Sequence, residues 1–140
     1  MRKIIRDVFT PTIIERLAAH NNSYLEFNNR DLTAALALVR EHTDASFEYP
    51  SNVKVESRPK GHPWHLDTGT SGHMAWCRYT ARVLLDHPSK FEGGGYYFKD
   101  DPQTPLFHHN DLILYDQSPE NEHYVASHNG QRRVLLMFLA

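Results

Sequence analysis

Beyond Asp44 the chain is cut into short segments by Gly, Pro, Asn and Asp, and that punctuation restricts what it can fold into. The turn signals are Pro50-Ser51-Asn52, Pro59-Lys60-Gly61, Thr68 to Gly72, His87-Pro88, Gly93-Gly94-Gly95, Asp100-Asp101-Pro102 and Asn129-Gly130. The segments between them predict strands over 46–49, 53–57, 62–66, 75–85, 95–99, 112–115, 122–127 and 132–139. Ahead of them, Thr10-Pro11 reads as an N-cap followed by proline at the first helical position, with Ile13, Ile14, Leu17 and Ala18 at helical spacing. A second helix is expected from about Asn29 to His42, with Asp31 in its first turn and Leu32, Ala35, Leu36 and Val39 as its apolar stripe. Two helices followed by about eight strands predict an α+β, mainly β chain built as a sandwich or jelly-roll barrel. With no repeat or linker to divide it, 1–140 is expected to be one domain, 1–43 as helical support and 44–140 as the jelly-roll core.

A chain of 140 residues can bury roughly 68–70% of its unfolded surface without staples. A net charge of −2 gives no reason to expect nucleic acid or an anionic membrane as partner. Cys77 is the only cysteine, so no internal disulfide forms. Met1 to Asp7 lacks an apolar core of signal-peptide length, and no apolar run approaches about 18 residues, so the expectation is a soluble, cytoplasmic protein. The unusual number is ten histidines, histidine being the commonest metal ligand.

Three His-x-Asp pairs occur: His42/Asp44, His65/Asp67 and His109/Asp111. On a strand, residues i and i+2 share a face, so an imidazole and a carboxylate from such a pair can converge on one metal ion. A non-haem Fe(II) oxygenase site needs a second histidine as well, returning on a distant strand, with the opposite face of the metal left open. His109/Asp111 has little chain after it for that return. His42/Asp44 sits at a predicted helix end, where histidine complements the helix dipole. The stretch from Asp67 to His123 is long enough for several strands. His123 lies in Glu122-His123-Tyr124-Val125; its rival His128 abuts Asn129-Gly130 and is expected at a loop tip in water.

From about Trp64 to the C-terminus the chain resembles the Fe(II)/2-oxoglutarate-dependent dioxygenases, in their prolyl 4-hydroxylase-like branch. After the His-x-Asp, Thr80-Ala81-Arg82-Val83-Leu84-Leu85-Asp86 is similar to a Thr-x-x-x-Tyr-Leu-Asn signature. Phe91-Glu92-Gly93-Gly94-Gly95-Tyr96-Tyr97-Phe98 resembles Phe-x-Gly-Gly-Glu-Thr-x-Phe, and Asn110 to Tyr115 resembles a Gly-Asp-x-x-x-Phe strand. His123-Tyr124-Val125, the Asn129-Gly130 turn and Arg132-Arg133 complete the order, and Val8 to Ile14 resembles the family's lead-in to its first helix. The resemblance implies a double-stranded β-helix (jelly-roll) with its two helices packed on one sheet, and iron held by His65, Asp67 and His123. It further implies 2-oxoglutarate as co-substrate alongside O2, with the far carboxylate on a basic residue of the last strand. Arginine suits that role because its planar fork of donors pairs bidentately with a carboxylate.

Arg132 and Arg133 compete for the anchor, and strand alternation lets only one point inward. Apolar residues follow on both faces, so periodicity does not choose. Family regularities favour Arg132, nine residues after the distal histidine and six before Phe138, whereas the ten-residue spacing of some relatives selects Arg133. The tyrosine that often helps bind the far carboxylate is Leu84 here, and Tyr96 either supplies the missing hydroxyl or only fills space. Arg78 and Arg82 alternate with Thr80 on the expected inward face, either to bind an acidic substrate or to lie at the barrel mouth. The Thr68–Gly72 segment is either a lid over the substrate or a plain surface loop. Trp64 is expected to point away from His65 into core, and Cys77 to be a small buried residue.

The expected activity is hydroxylation of a C–H bond, of a prolyl residue in a peptide or a proline-like or other small molecule. The alternative is a cupin-like module that holds a metal or small ligand without oxidising anything. Such a module has no evident use for a carboxylate anchor behind the metal, and Arg132 argues against it. A degenerate paralogue acting through protein contacts would not need the full set of ligands.

Overall fold

The computed structural model describes residues 1–68 and 73–140. In chain order the elements are β1 (Arg2–Ile5), α1 (Pro11–Ala18), β2 (Ser23–Leu25), α2 (Thr33–His42), β3 (Asn52–Glu56), β4 (His62–His65) and β5 (Tyr79–Leu84). They continue with β6 (Phe91–Gly93), β7 (Tyr96–Phe98), β8 (Asp101–Leu106), β9 (Leu112–Asp116), β10 (His123–Val125), β11 (His128–Gly130) and β12 (Val134–Leu139). A major sheet runs in the order β1-β9-β5-β12-β3-β2, a minor sheet in the order β4-β10-β7-β8, and β11 pairs with β6. Every pairing of named strands is antiparallel.

Period-two alternation divides the major sheet into two faces. Leu135, Met137 and Leu139 of β12, Ala81 and Val83 of β5, and Leu112 and Leu114 of β9 join the core beneath the helices. Their neighbours Val134, Leu136 and Phe138, Thr80 and Arg82, and Ile113 and Tyr115 face the minor sheet. The first face is apolar core; the second presents Thr80, Arg82 and Tyr115 to the minor sheet.

The helices form where caps and stripes coincide. Thr10 Oγ1 accepts from Ile13 N at 3.3 Å at the start of α1, and Asn29 Oδ1 accepts from Asp31 N at 2.8 Å in the turn that leads into α2. Leu17, Leu32, Ala35 and Val39 are completely buried against the major sheet. Arg16 forks onto Asp31, its Nη2 2.7 Å from Oδ1, tying α1 to that turn. The mainly β architecture with two helices packed on one sheet is as expected.

Three expectations need correction. Residues 1–43 are more than helical support: they supply both edge strands of the major sheet, with Arg2 opposite Tyr115 and Leu25 opposite Val53. The segment 46–49 is not a strand: it is folded into a turn in which Ser51 N donates to Glu48 O at 2.9 Å and the Ser51 hydroxyl to Ser46 O at 2.6 Å, with a single long-range bond from Ser46 N to Ala140 O at 2.8 Å. The turn signal Asp100-Asp101-Pro102 runs into an unexpected strand, Asp101–Leu106, whose two prolines are tolerated because β8 lies at the edge of the minor sheet. Among the described residues no helix is long and apolar enough to cross a membrane.

Candidate metal centre and carboxylate pocket

Antiparallel pairing sets His65 at the end of β4 directly opposite His123 at the start of β10. Asp67 follows two residues later, in the turn after β4. The ligand atoms of the three lie within 4.8 Å of one another, and among the described residues no other group of three or more His, Cys, Asp or Glu does so. Asp67 Oδ1 stands 3.3 Å from the Nε2 of His65 and 3.3 Å from that of His123.

The surrounding hydrogen bonds fix the donor atoms. His65 Nδ1 lies 2.7 Å from Pro63 O, and His123 Nδ1 lies 2.9 Å from Asn121 O. A carbonyl only accepts, so each Nδ1 carries the proton and each Nε2 keeps its lone pair for the centre. Thr80 donates its hydroxyl to Asp67 Oδ2 at 2.6 Å and Tyr115 donates to the same oxygen at 2.9 Å. Oδ2 is thereby occupied and Oδ1 alone is offered. Asp67 N donates to Gln117 Oε1 at 3.0 Å, and Gln117 Nε2 donates to Thr80 Oγ1 at 3.1 Å, closing the ring of supports.

Burial would raise the Asp67 carboxyl, but the His123 and His65 rings beside it and the Thr80 hydroxyl outweigh it and hold it well below the usual carboxylate range. Burial pushes the Tyr96 and Tyr115 phenols well up, so both stay neutral donors. Two neutral imidazole nitrogens and one monodentate carboxylate oxygen suit a divalent transition metal bound on one face.

The centre opens into a cavity of about 220 Å³ whose lining includes His65, Asp67, His123, Arg82, Tyr96 and Arg132. Arg132 is 5% exposed and its Nε has no hydrogen-bond partner among the described residues. Gly94 makes room for it: a Cβ there would meet Arg132 Cδ at 2.6 Å and Nε at 2.7 Å, and the residue's φ of +71° itself favours glycine.

Solved structures superpose on nearly the whole chain. The viral collagen prolyl hydroxylase of Paramecium bursaria Chlorella virus-1, as its 2OG complex, matches at 11% identity over 99% of this chain and 93% of that one, TM-score 0.68. A prolyl hydroxylase from Trichoplax adhaerens, in complex with a hypoxia inducible factor peptide fragment, matches at 11% over 99% and 82%, TM-score 0.70. A Pseudomonas putida prolyl-4-hydroxylase matches at 12% over 99% and 91%, TM-score 0.66. The fold is that of the prolyl hydroxylases. It is a double-stranded β-helix, as expected. No family model matches the sequence, and no curated protein matches it. At these identities the likeness is one of fold.

On this prolyl-hydroxylase fold the rival residues separate. Arg133 turns away from the cavity: its Nη2 and Nε bind Asp86 at 2.8 and 2.9 Å, and Nη1 donates to Ala18 O at 3.3 Å. Asp44 is taken by Arg78 at 3.1 Å and by the Tyr79 hydroxyl at 3.1 Å, which also removes Arg78 from the cavity. Asp111 accepts from Asp7 N at 3.2 Å, and His109 Nε2 lies 3.3 Å from Leu85 O, so that pair serves a turn. His128 is buried rather than at a loop tip in water, because β11 pairs with β6 and carries the ring inward beside Phe91. Trp64 is not core: it is 41% exposed on the outer face of the minor sheet, against Tyr124.

Leu84 packs with Phe91 and Val134 in a small apolar cluster. The Tyr96 hydroxyl meets that of Tyr115 at 2.8 Å, on the Asp67 side of the pocket, and does not supply the missing hydroxyl at Arg132. Of the Thr68–Gly72 segment, 69–72 lies outside the described residues. Sequence reasoning gave no role to Thr80, Tyr115 or Gln117; the period-two pattern of β5 and β9 was the available signal for the first two.

Proposed function

We propose that this chain is an Fe(II)- and 2-oxoglutarate-dependent dioxygenase that hydroxylates a C–H bond, with a prolyl residue or proline-like molecule as substrate. The observation that carries the reading is the joint presence, in one cavity, of the His65/Asp67/His123 donor set and the buried, unpartnered Arg132. A metal-binding module has no use for a buried cation beside its metal, whereas a dicarboxylate co-substrate does. The prolyl substrate is supported by the prolyl hydroxylases that share the fold, one of them holding a peptide.

In this reading His65, Asp67 and His123 hold the iron. When bound, iron supplies the oxidative chemistry that converts 2-oxoglutarate and O2 to succinate and CO2 and places one oxygen atom in the substrate C–H bond. Arg132 anchors the far carboxylate of 2-oxoglutarate in a pocket where charge-assisted hydrogen bonds are strong. Thr80 and Tyr115 keep Asp67 monodentate, and Tyr96, its ring stacked 5.0 Å from that of His123, keeps that imidazole from rotating. The apolar side chains of Val134, Leu136 and Phe138 exclude water from the inner wall. No separate acid or base is required among the protein's side chains.

Anaerobic Fe(II) titration followed by succinate release on admission of air tests the reading. Iron binding and 2-oxoglutarate turnover are expected; metal binding without turnover would instead favour a cupin-like module. Mass-shift screening of proline-containing peptides and free amino acids then tests the substrate.

A further inference from the structure

Arg82 has no role in the site as described so far. β5 points Thr80 at Asp67 and places Arg82 two residues further along the same face, opposite Leu136 of β12 and Ile113 of β9. The residue is 3% exposed, and its buried Nε has no hydrogen-bond partner among the described residues. Its Cζ sits 3.8 Å from the centroid of the Tyr96 ring, the same ring that stacks on His123. A guanidinium placed over an aromatic face is held without spending its N–H donors, which are left for a ligand.

Arg132 lines the same cavity in the same condition, buried with an unpartnered Nε. Burial first, and then the charge of Arg82, lower its pKa to about 9, so the two cations lie close enough to disfavour one another. Neither has a free protein carboxylate to neutralise it. Asp67 is committed to two imidazoles, Thr80 and Tyr115, and Glu56, whose charge Arg132 also feels, is held by Lys54 at 2.9 Å. Two buried guanidinium groups without a counter-ion are costly, and an anion entering between them removes the cost for both.

We propose that Arg82 is a second carboxylate-binding residue: with Arg132 it forms a two-guanidinium clamp on the far carboxylate of a dicarboxylic keto acid. This rests on the 2-oxoglutarate reading above and adds to it. Arg82 thereby takes over from the hydroxyl that Leu84 cannot provide, with a full charge where a phenol gives a dipole. The clamp makes the site select strongly for a dicarboxylate over a monocarboxylate of the same length.

The test uses the full chain loaded with redox-silent Mn(II) and titrated with 2-oxoglutarate and with 2-oxopentanoate, which has a methyl in place of the far carboxylate. Arg82→Met is expected to weaken 2-oxoglutarate by about 10- to 100-fold while leaving Mn(II) and 2-oxopentanoate affinities unchanged. Arg82→Met combined with Arg132→Met is expected to lose less than the product of the single losses, because both grip one carboxylate. Arg82→Lys, which keeps a cation, retains part of the preference and separates binding from folding. An unchanged preference for 2-oxoglutarate in Arg82→Met overturns the clamp, and a raised substrate KM in that variant would reassign Arg82 to a carboxylate on the primary substrate. Failure of the unmodified protein to bind Mn(II) or 2-oxoglutarate would instead overturn the dioxygenase reading, and the clamp with it.

Discussion

Thr80 and Asp67 are joined by a 2.6 Å hydrogen bond from a hydroxyl that is completely buried, and this contact decides which carboxylate oxygen faces the two histidines. Outer partners of metal ligands matter because they remove rotational freedom from the ligand before the metal arrives. Thr80→Val keeps the shape and deletes the donor. It is expected to weaken Mn(II) binding by about 10- to 100-fold with the circular dichroism spectrum unchanged. Equal affinity in the variant would mean that Tyr115 alone orients the carboxylate.

Asp67→Ala removes the only carboxylate among the three ligands. Loss of metal binding and of succinate release is expected while the protein still folds, since the Asp67 side chain lies in the cavity and outside the apolar cores. Iron titration and thermal melting on the same sample check both halves.

Arg132 and Arg133 are adjacent and should fail in different ways. Arg133→Met leaves the buried Asp86 with the backbone N–H of residue 133 but without the Nε and Nη2 donors, and is expected to lower stability by about 1–3 kcal/mol in urea denaturation. Arg132→Met leaves no protein group without a partner, so its ligand-free stability is expected to hold or rise while 2-oxoglutarate binding is lost. The reverse pattern would exchange their roles.

Cys77 is 2% exposed, and burial pushes its thiol up to about 11. Little thiolate exists near neutrality, so iodoacetamide at pH 8 is expected to leave the folded protein unmodified and to label it in denaturant. Intact-mass spectrometry distinguishes the two.

The Arg16 side-chain hydrogen bond holds the Asp31 carboxyl below its ordinary value. A depressed carboxyl contributes stability above its unfolded pKa of about 3.9 and loses it as pH falls through the lower folded value. Asp31→Asn is therefore expected to flatten the decline of stability below about pH 4, read from melting temperatures across an acid series.

Much of this was legible in the chain. The unbroken apolar run from Val134 to Leu139 requires a strand covered on both faces, the cap at Thr10 starts α1, and the two-residue spacing of His65 and Asp67 lets both reach one metal ion. β1, β2 and β11 were not legible, because each is short and takes its ladder bonds from distant partners, and β8 was hidden by its two prolines. Ser23–Leu25, for instance, is a strand only because Asn52–Glu56 lies beside it. His128 shows the same limit: the Asn129-Gly130 turn signal marks an exposed tip, and only the pairing of β11 with β6 buries the ring before it.

A mainly β chain with two apolar-striped helices, and a histidine, a carboxylate and a distant second histidine, can be read from the residues alone. Local chemistry suffices there, since caps, turns and periodicity act within a few residues. It took the packed fold to turn Arg132 into the cavity and Arg133 out of it, and to bring Arg82 into the same cavity. Two arginines in succession satisfy the same pattern, and what separates them is a partner 47 positions away in Asp86 and the empty space left by Gly94.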